Sequence, residues 1–371
     1  MYRGKYIFGF LCFCAVCVIL LSGALVSASP ISPVLFNGPA PGARSHSLGN
    51  AGIALFADPF SSFYNPAALC YIYASFLLLD FHYEGTPEND TPFNLPRFFG
   101  MTPVYFSAIN HAGGITWHPC FRRTDEEVRR FFSSEYGETL FVNTVHEYRG
   151  DEFFFTMTTL STETLENPFN TPLFGINIKY YLTQLAESEV TRTRTAPVDA
   201  TSNIDTGNGF GLDIGFAYAG ESFVVGIAIK DIFSRVWWSD YDTDVIPVKA
   251  GAGISLLLSE RFIFSTDMRY DNWYKRTGIY SGVEVNFLSS KTPKTKHIPV
   301  GEPKQKNYAK QGSIIRLGTK LDDVKQLSDI IYTFGYGYTF SRLAVEIALM
   351  GDSEFIKNKC FSSQISFLVL Y

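Results

Sequence analysis

The sequence is poor in the residues that catalysis, metal binding and nucleic-acid binding draw on. Six cysteines serve 371 residues, and Cys12, Cys14 and Cys17 crowd the N-terminus. The remaining Cys70, Cys120 and Cys360 are too few and too scattered for a disulfide framework, although one bridge among them is open. The six histidines, His46, His82, His111, His118, His146 and His297, lack metal-ligand spacing, and no HExxH is present. His111 and His118, the nearest pair in the mature chain, read as ordinary polar residues. The glycine-rich run Gly207-Asn208-Gly209-Phe210-Gly211 is followed by no helical pattern, so it is no phosphate loop. Acidic residues outnumber basic ones, 36 to 31, which removes the basic stripe that nucleic acid requires. No cofactor, metal or catalytic constellation is expected, and the chain does not read as an enzyme.

Long apolar runs are also missing, except at the start. Arg3 and Lys5 precede an apolar stretch from Tyr6 to Val26, which ends in Val26-Ser27-Ala28. A basic segment, an apolar segment and small residues before a cut form a secretory signal peptide, expected to be cleaved after Ala28. A retained membrane anchor is the other reading, because the run is nearly long enough to span a bilayer. Cleavage removes two basic residues and takes the net charge from −5 to −7. With no second apolar helix in the sequence, a mature chain that sits in a membrane must do so as a closed β-barrel.

What the sequence has in quantity is alternation. From Gly209 to Tyr218, Phe210, Leu212, Ile214, Phe216 and Tyr218 alternate with Gly211, Asp213, Gly215 and Ala217. On a strand these two sets lie on opposite faces. The pattern recurs in fourteen segments. The earlier ones fall near 70–83, 102–110, 112–121, 151–160 and 171–185. The later ones fall at 207–219, 222–232, 246–258, 261–271, 277–289, 312–322, 328–340, 341–350 and 359–371. A soluble β-sandwich would also alternate. Full charges on the small face favour a wet barrel lumen instead: Lys179, Asp213, Lys230, Lys249, Asp267, Arg269, Glu284, Arg316 and Glu346 fall there. Aromatic residues, 16% of the chain, gather at strand ends as interfacial girdles do.

Connections alternate in length, as barrel loops and turns do. Links at 84–101, 122–150, 186–206 and 233–245 are long, and those at 220–221 and 259–260 are tight. Within the second long link, Val128, Phe131 and Phe132 have the spacing of a short amphipathic helix over 122–140. Such a helix would pack on the barrel mouth or offer an apolar landing lip. Residues 290–311 depart from the alternation of link lengths and carry six lysines against Glu302. They read as a solvated loop or as a docking site for an acidic partner.

Residues 29–69 do not alternate and are rich in Gly, Ala, Pro and Ser. Here Gly42-Ala43-Arg44-Ser45-His46-Ser47-Leu48-Gly49-Asn50-Ala51-Gly52-Ile53-Ala54 is followed by Phe56-Ala57-Asp58 and by Tyr64-Asn65-Pro66-Ala67-Ala68-Leu69. This run resembles the N-terminal signature of the FadL-type long-chain fatty acid transporters, closest to their PorV-like branch and to treponemal FadL-like proteins. Ala68 stands where that signature has Gly. The resemblance implies a fourteen-stranded outer-membrane barrel with an N-terminal plug, and an apolar pocket from which substrate shifts the plug and leaves through a gap in the wall.

The expectation is therefore an all-β transmembrane antiparallel barrel. Residues 1–28 are the signal peptide, 29–69 the plug and 70–371 the barrel in the outer membrane, with Asn65, Pro66 and Ala67 anchoring the plug. The expected function is passive transport of long-chain fatty acids or similar amphiphiles across that membrane, with the lipid bilayer and the hydrophobic substrate as partners. The alternatives are a non-transporting scaffold that docks a protein at its outer loops, as in the PorV-like branch, and a surface adhesin.

Overall fold

A computed structural model describes residues 39–371, apart from 73, 86–100, 159–168, 194–196, 260, 289–311, 327 and 353–360. The expected signal peptide at 1–28, the first ten residues of the expected plug, most of the 84–101 link, the lysine-rich segment at 290–311 and Cys360 lie outside the described residues.

The strands are β1 (Phe76–Gly85), β2 (Thr102–Asn110), β3 (Gly113–Ser133), β4 (Glu138–Thr158), β5 (Leu173–Arg192), β6 (Pro197–Ala219), β7 (Phe223–Trp238), β8 (Asp244–Val245), β9 (Lys249–Leu257), β10 (Phe262–Asp271), β11 (Arg276–Leu288), β12 (Gly312–Leu321), β13 (Ile331–Phe340), β14 (Leu343–Gly351) and β15 (Phe361–Leu370). All pair antiparallel in one sheet, which closes because β1 pairs with β15. The two-residue β8 pairs with the end of β7, and the other fourteen strands form the barrel. Closure removes both sheet edges, so the backbone groups of the wall find partners without water.

The alternation read from the sequence separates the two faces. On β13, Tyr332, Phe334, Tyr336 and Tyr338 point outward and are exposed, while Thr333, Gly335 and Gly337 are buried inside. On β11, Ile279, Val283 and Phe287 point outward, whereas Tyr280 and Glu284 face the lumen. The outer face of a closed barrel carrying such a belt meets hydrocarbon.

The expected helix over 122–140 does not form. Residues 113–133 and 138–158 run as paired 21-residue strands around a short turn. Val128, Phe131 and Phe132 lie on this hairpin, all exposed. Their helical spacing is a local signal, and the ladder with β4 gives the same backbone groups partners across the strand. For the same reason the expected long link at 186–206 is mostly strand, through Arg192 and again from Pro197. Strands β3 to β6 exceed the ~10 residues needed to cross a bilayer, so one sector of the wall stands taller than the rest. The first strand begins at Phe76 rather than 70, because Pro66–Tyr71 is a 3-10 helix.

Residues 39–72 lie inside the barrel. They contain α1 (Ala43–Ser47), α2 (Ser61–Tyr64) and the 3-10 turn. Phe60, Leu69 and Ile72 pack in one cluster with Leu78, Tyr105 and Phe154 of the wall. Ala67, Ala68 and Tyr71 pack with Leu173, Ala217 and Val224 in another.

Phe334→Arg, on the hydrocarbon-facing side, should lower barrel stability by ~2–4 kcal/mol. Urea titration of the folded protein in liposomes checks this.

Candidate functional site

The lumen is where polar chemistry collects. Strand parity sends Lys179, Asp213, Asp267, Glu284, Arg316 and Glu346 inward, and all six are buried. Such charges are tolerable only when paired, and they fall into three groups.

In the first, Lys179 Nζ lies 2.8 Å from Asp231, 3.0 Å from Asp213 and 3.5 Å from Glu152. The Tyr181 hydroxyl also donates to Asp231. Lys230 and Lys249 sit directly opposite each other on β7 and β9. The Lys230 ammonium stands 3.6 Å from the centre of the Phe63 ring. Three lysines thus face three carboxylates. Beside them, the ring nitrogens of His118 face the Glu152 carboxylate at 2.8 Å and the Pro39 carbonyl at 2.9 Å.

In the second group, Asp267 accepts from the backbone N–H of Gly52 at 2.7 Å and of Ile53 at 2.9 Å. Arg269 donates to Asp267 at 2.8 Å and also to the Asn50 carbonyl. In the third, Glu284 accepts from Arg316 at 2.7 Å and from Arg44 at 2.9 Å, and Arg316 reaches Glu346 at 2.8 Å. Arg44 is therefore an ion pair between the lumenal segment and the wall. Burial alone would lower its basicity, but Glu284 holds it above its ordinary value.

Asn65, Pro66 and Ala67 sit in a socket of small residues. Asn65 Nδ2 donates to the carbonyls of Ile53 at 2.9 Å and Phe216 at 3.0 Å, and its Oδ1 accepts from the N–H of Ala67. Proline at the start of the 3-10 turn has no N–H to leave unpaired. Gly175 on β5 and Gly215 on β6 are directly paired. A Cβ on Gly215 would stand 2.9 Å from the Ala67 nitrogen, and one on Gly175 2.7 Å from the Pro66 oxygen. Backbone can approach wall this closely only over glycine.

Asp231, Asp80, Glu152 and His118 are not among the expected lumenal charges, and Asp231 has no signal in the sequence. Asp231 follows the inward Lys230, so simple parity would send it outward. It adopts φ 63 and the β6–β7 register shifts beside it, turning two consecutive residues inward. Asp80, on β1, accepts from the N–H of Gly42 at 3.0 Å and from Ser366 at 2.6 Å. Glu152 and His118 were findable as polar residues on the inner face of their strands. The glycine socket becomes visible only once the Asn65 turn is placed against it.

Above the lumenal segment lies a cavity of about 460 Å³. Its wall mixes charged side chains, among them Lys230, Lys249 and Arg269, with apolar ones such as Ile53, Phe63 and Ile246. Among the described residues, no group of three His, Cys, Asp or Glu side chains is placed to hold a metal ion.

No family model matches the sequence, and no curated protein does. A solved FadL homologue from Pseudomonas aeruginosa is similar, with a TM-score of 0.44 and 11% identity, over 91% of this chain and 99% of that one. The toluene transporter TodX of Pseudomonas putida gives a TM-score of 0.46 and 12% identity, over 91% and 99%. A mutant Rh. blastica porin gives 0.29 and 7%, over 80% and 99%. The barrel described above rests on its own strand pairing.

Lys179→Met would leave three buried carboxylates short of a cation and should cost roughly 3–5 kcal/mol, read as a lower urea midpoint. A second expectation concerns pH. Burial pushes the His46 ring from 6.5 down to about 3, and its Nε2 lies 2.7 Å from the Ala40 carbonyl. The displaced segment takes up the proton first, so the contribution of His46 is full above about 6.5 and fades as pH falls towards about 3. Asp58, shifted upward by burial, acts in the opposite sense, which makes His46→Gln the informative comparison. The variant should lose less stability than the parent between pH 6.5 and 4.

Proposed function

We propose that the protein is a passive outer-membrane channel for long-chain fatty acids or similar amphiphiles, with residues 29–69 as its plug. One observation carries the reading. A barrel with a hydrocarbon-facing exterior has its lumen occupied by residues 39–72, and a cavity of about 460 Å³ opens above them. A cavity held over a filled lumen can admit a small molecule from one side without leaving an open pore. The run from Gly42 to Leu69, which resembles the FadL-type signature, is the same run that fills the lumen. The Asn65-Pro66-Ala67 turn would anchor the plug in its glycine socket. Cavity walls that mix charged and apolar side chains suit an amphiphile better than a bare hydrocarbon, because a wholly apolar ligand would strip water from the charged groups without replacing their hydrogen bonds. The signal peptide accounts for export, and no energy-coupling motif stands in the sequence, so flow would follow the concentration gradient.

A docking role has one observation in its favour. Phe131, Phe132 and Tyr136 are exposed at the tip of the tall β3–β4 hairpin, where a protein partner could bury them. A stoichiometric partner co-purifying with the chain, and lost when the hairpin tip is replaced by a polar turn, would support it.

Two measurements test the transport reading. Liposomes carrying the protein should take up a labelled fatty acid faster than empty ones; equal rates reject it. Deleting residues 29–69 should turn a sealed planar bilayer leaky, whereas unchanged conductance rejects the plug.

A further inference from the structure

Four charged side chains form a row across the cavity wall. Lys230 on β7 pairs directly with Lys249 on β9, Lys249 with Asp271 on β10, and Asp271 with Arg276 on β11. All four line the cavity. Neighbouring strands lie ~4.8 Å apart, so the row presents plus, plus, minus and plus in steps of one strand.

The charges on this wall and just behind it balance. Lys179 faces the three carboxylates of Asp213, Asp231 and Glu152, and Lys230 and Lys249 offset the two that it leaves in excess. Arg269 is paired with Asp267 at 2.8 Å and Lys320 with Asp322 at 2.9 Å. Arg276 stands opposite Asp271. The lysines, arginines and carboxylates therefore show no surplus of either sign.

Within the row both signs remain open to a ligand. Among the described residues neither Lys230 nor Arg276 makes an ion pair. Lys230 lies 3.6 Å from the centre of the Phe63 ring, and Arg276 lies 4.0 Å from that of Tyr274. A cation resting on an aromatic face keeps N–H groups to donate. Asp271 Oδ1 accepts the amides of Trp273 and Tyr274 at 2.9 and 3.2 Å, and its Oδ2 keeps acceptor capacity.

This arrangement discriminates between head groups. A lone carboxylate on Lys230 and Lys249 would satisfy the lysines. It would also set a new negative charge beside Asp271 and Asp231, in a wall with no positive surplus to absorb it. A phosphate joined to an ammonium by a two-carbon linker meets both signs, because that linker reaches about as far as one strand spacing, ~4.8 Å. Its phosphate oxygens accept from the two lysines, its ammonium faces Asp271, and the wall stays neutral. Ile53, Phe63 and Ile246 on the same wall offer hydrocarbon to the adjoining acyl chain.

We propose that the cavity is a head-group site for single-chain phospho-zwitterions of the lysophosphatidylcholine or lysophosphatidylethanolamine kind, with Lys230 and Lys249 on the phosphate and Asp271 on the ammonium. This rests on the reading of the protein as an amphiphile channel and narrows its substrate class.

Binding to the full mature chain held in amphipol tests the site with three ligands of equal chain length. These are lysophosphatidylcholine, lysophosphatidic acid, which keeps the phosphate and lacks the ammonium, and palmitate. Lysophosphatidylcholine should bind roughly tenfold more tightly than either of the others, as one added charge pair in a partly dry site provides. Asp271→Asn should remove that advantage and leave lysophosphatidic acid bound as well as before or better, whereas Lys230→Gln should weaken both phosphate ligands. Palmitate or lysophosphatidic acid binding as tightly as lysophosphatidylcholine overturns the assignment and leaves the channel reading standing, since an amphiphile still binds. Unchanged lysophosphatidylcholine binding in Asp271→Asn overturns it too. Binding of none of the three overturns both. The ligand comparison uses the unaltered chain, so it decides even where a variant fails to fold.

Discussion

Everything in this structure depends on satisfying backbone hydrogen bonds where no water is available. A strand in hydrocarbon must pair on both sides, so the sheet has to close, and the β1–β15 pairing closes it. Closure then makes two surfaces with opposite needs. The outer one takes Phe334, Ile347 and their neighbours without further structure. The inner one carries charged and small side chains around a space that must hold water, a ligand or protein.

Here protein fills much of that space, and the inner surface is built to hold it. Glycines meet the Asn65 turn and the Leu48 backbone, where a side chain would collide. Carboxylates of the wall accept amides that the short helices and turns of residues 39–72 leave unbonded. Arg44 supplies a charge that the pair of Glu284 and Arg316 accommodates. Ion pairs of this kind add little net stability, because removing two charges from water offsets most of their attraction. They do fix position, since a shifted segment would leave a buried charge alone. The lumenal segment is thus placed accurately by its partners on the wall.

Much of the wall was legible in the sequence because parity is a local property. Once a strand is recognised, Lys179, Asp213 and Glu284 must share its inner face, and the structure places them there. Parity fails where the backbone departs from a plain strand. The bulge at Asp231 turns an outward position inward, and nothing in the residue types announces it. The stretch from Arg122 to Phe132 misleads in the other direction. Its spacing fits a helix, but the cross-strand ladder with β4 decides its conformation, and that partner lies outside any local window.

The sequence by itself determined that the chain alternates, that its small face carries charge, and that the run from Gly42 to Leu69 is of another kind. These follow from side-chain direction and composition, which each residue brings with it. Only the tertiary structure decided which charges meet, because pairs such as Arg44 with Glu284 are 240 residues apart and depend on strand register around the whole barrel. It alone decided which charged and apolar side chains share the cavity wall, since a cavity belongs to the space between elements and to no single one.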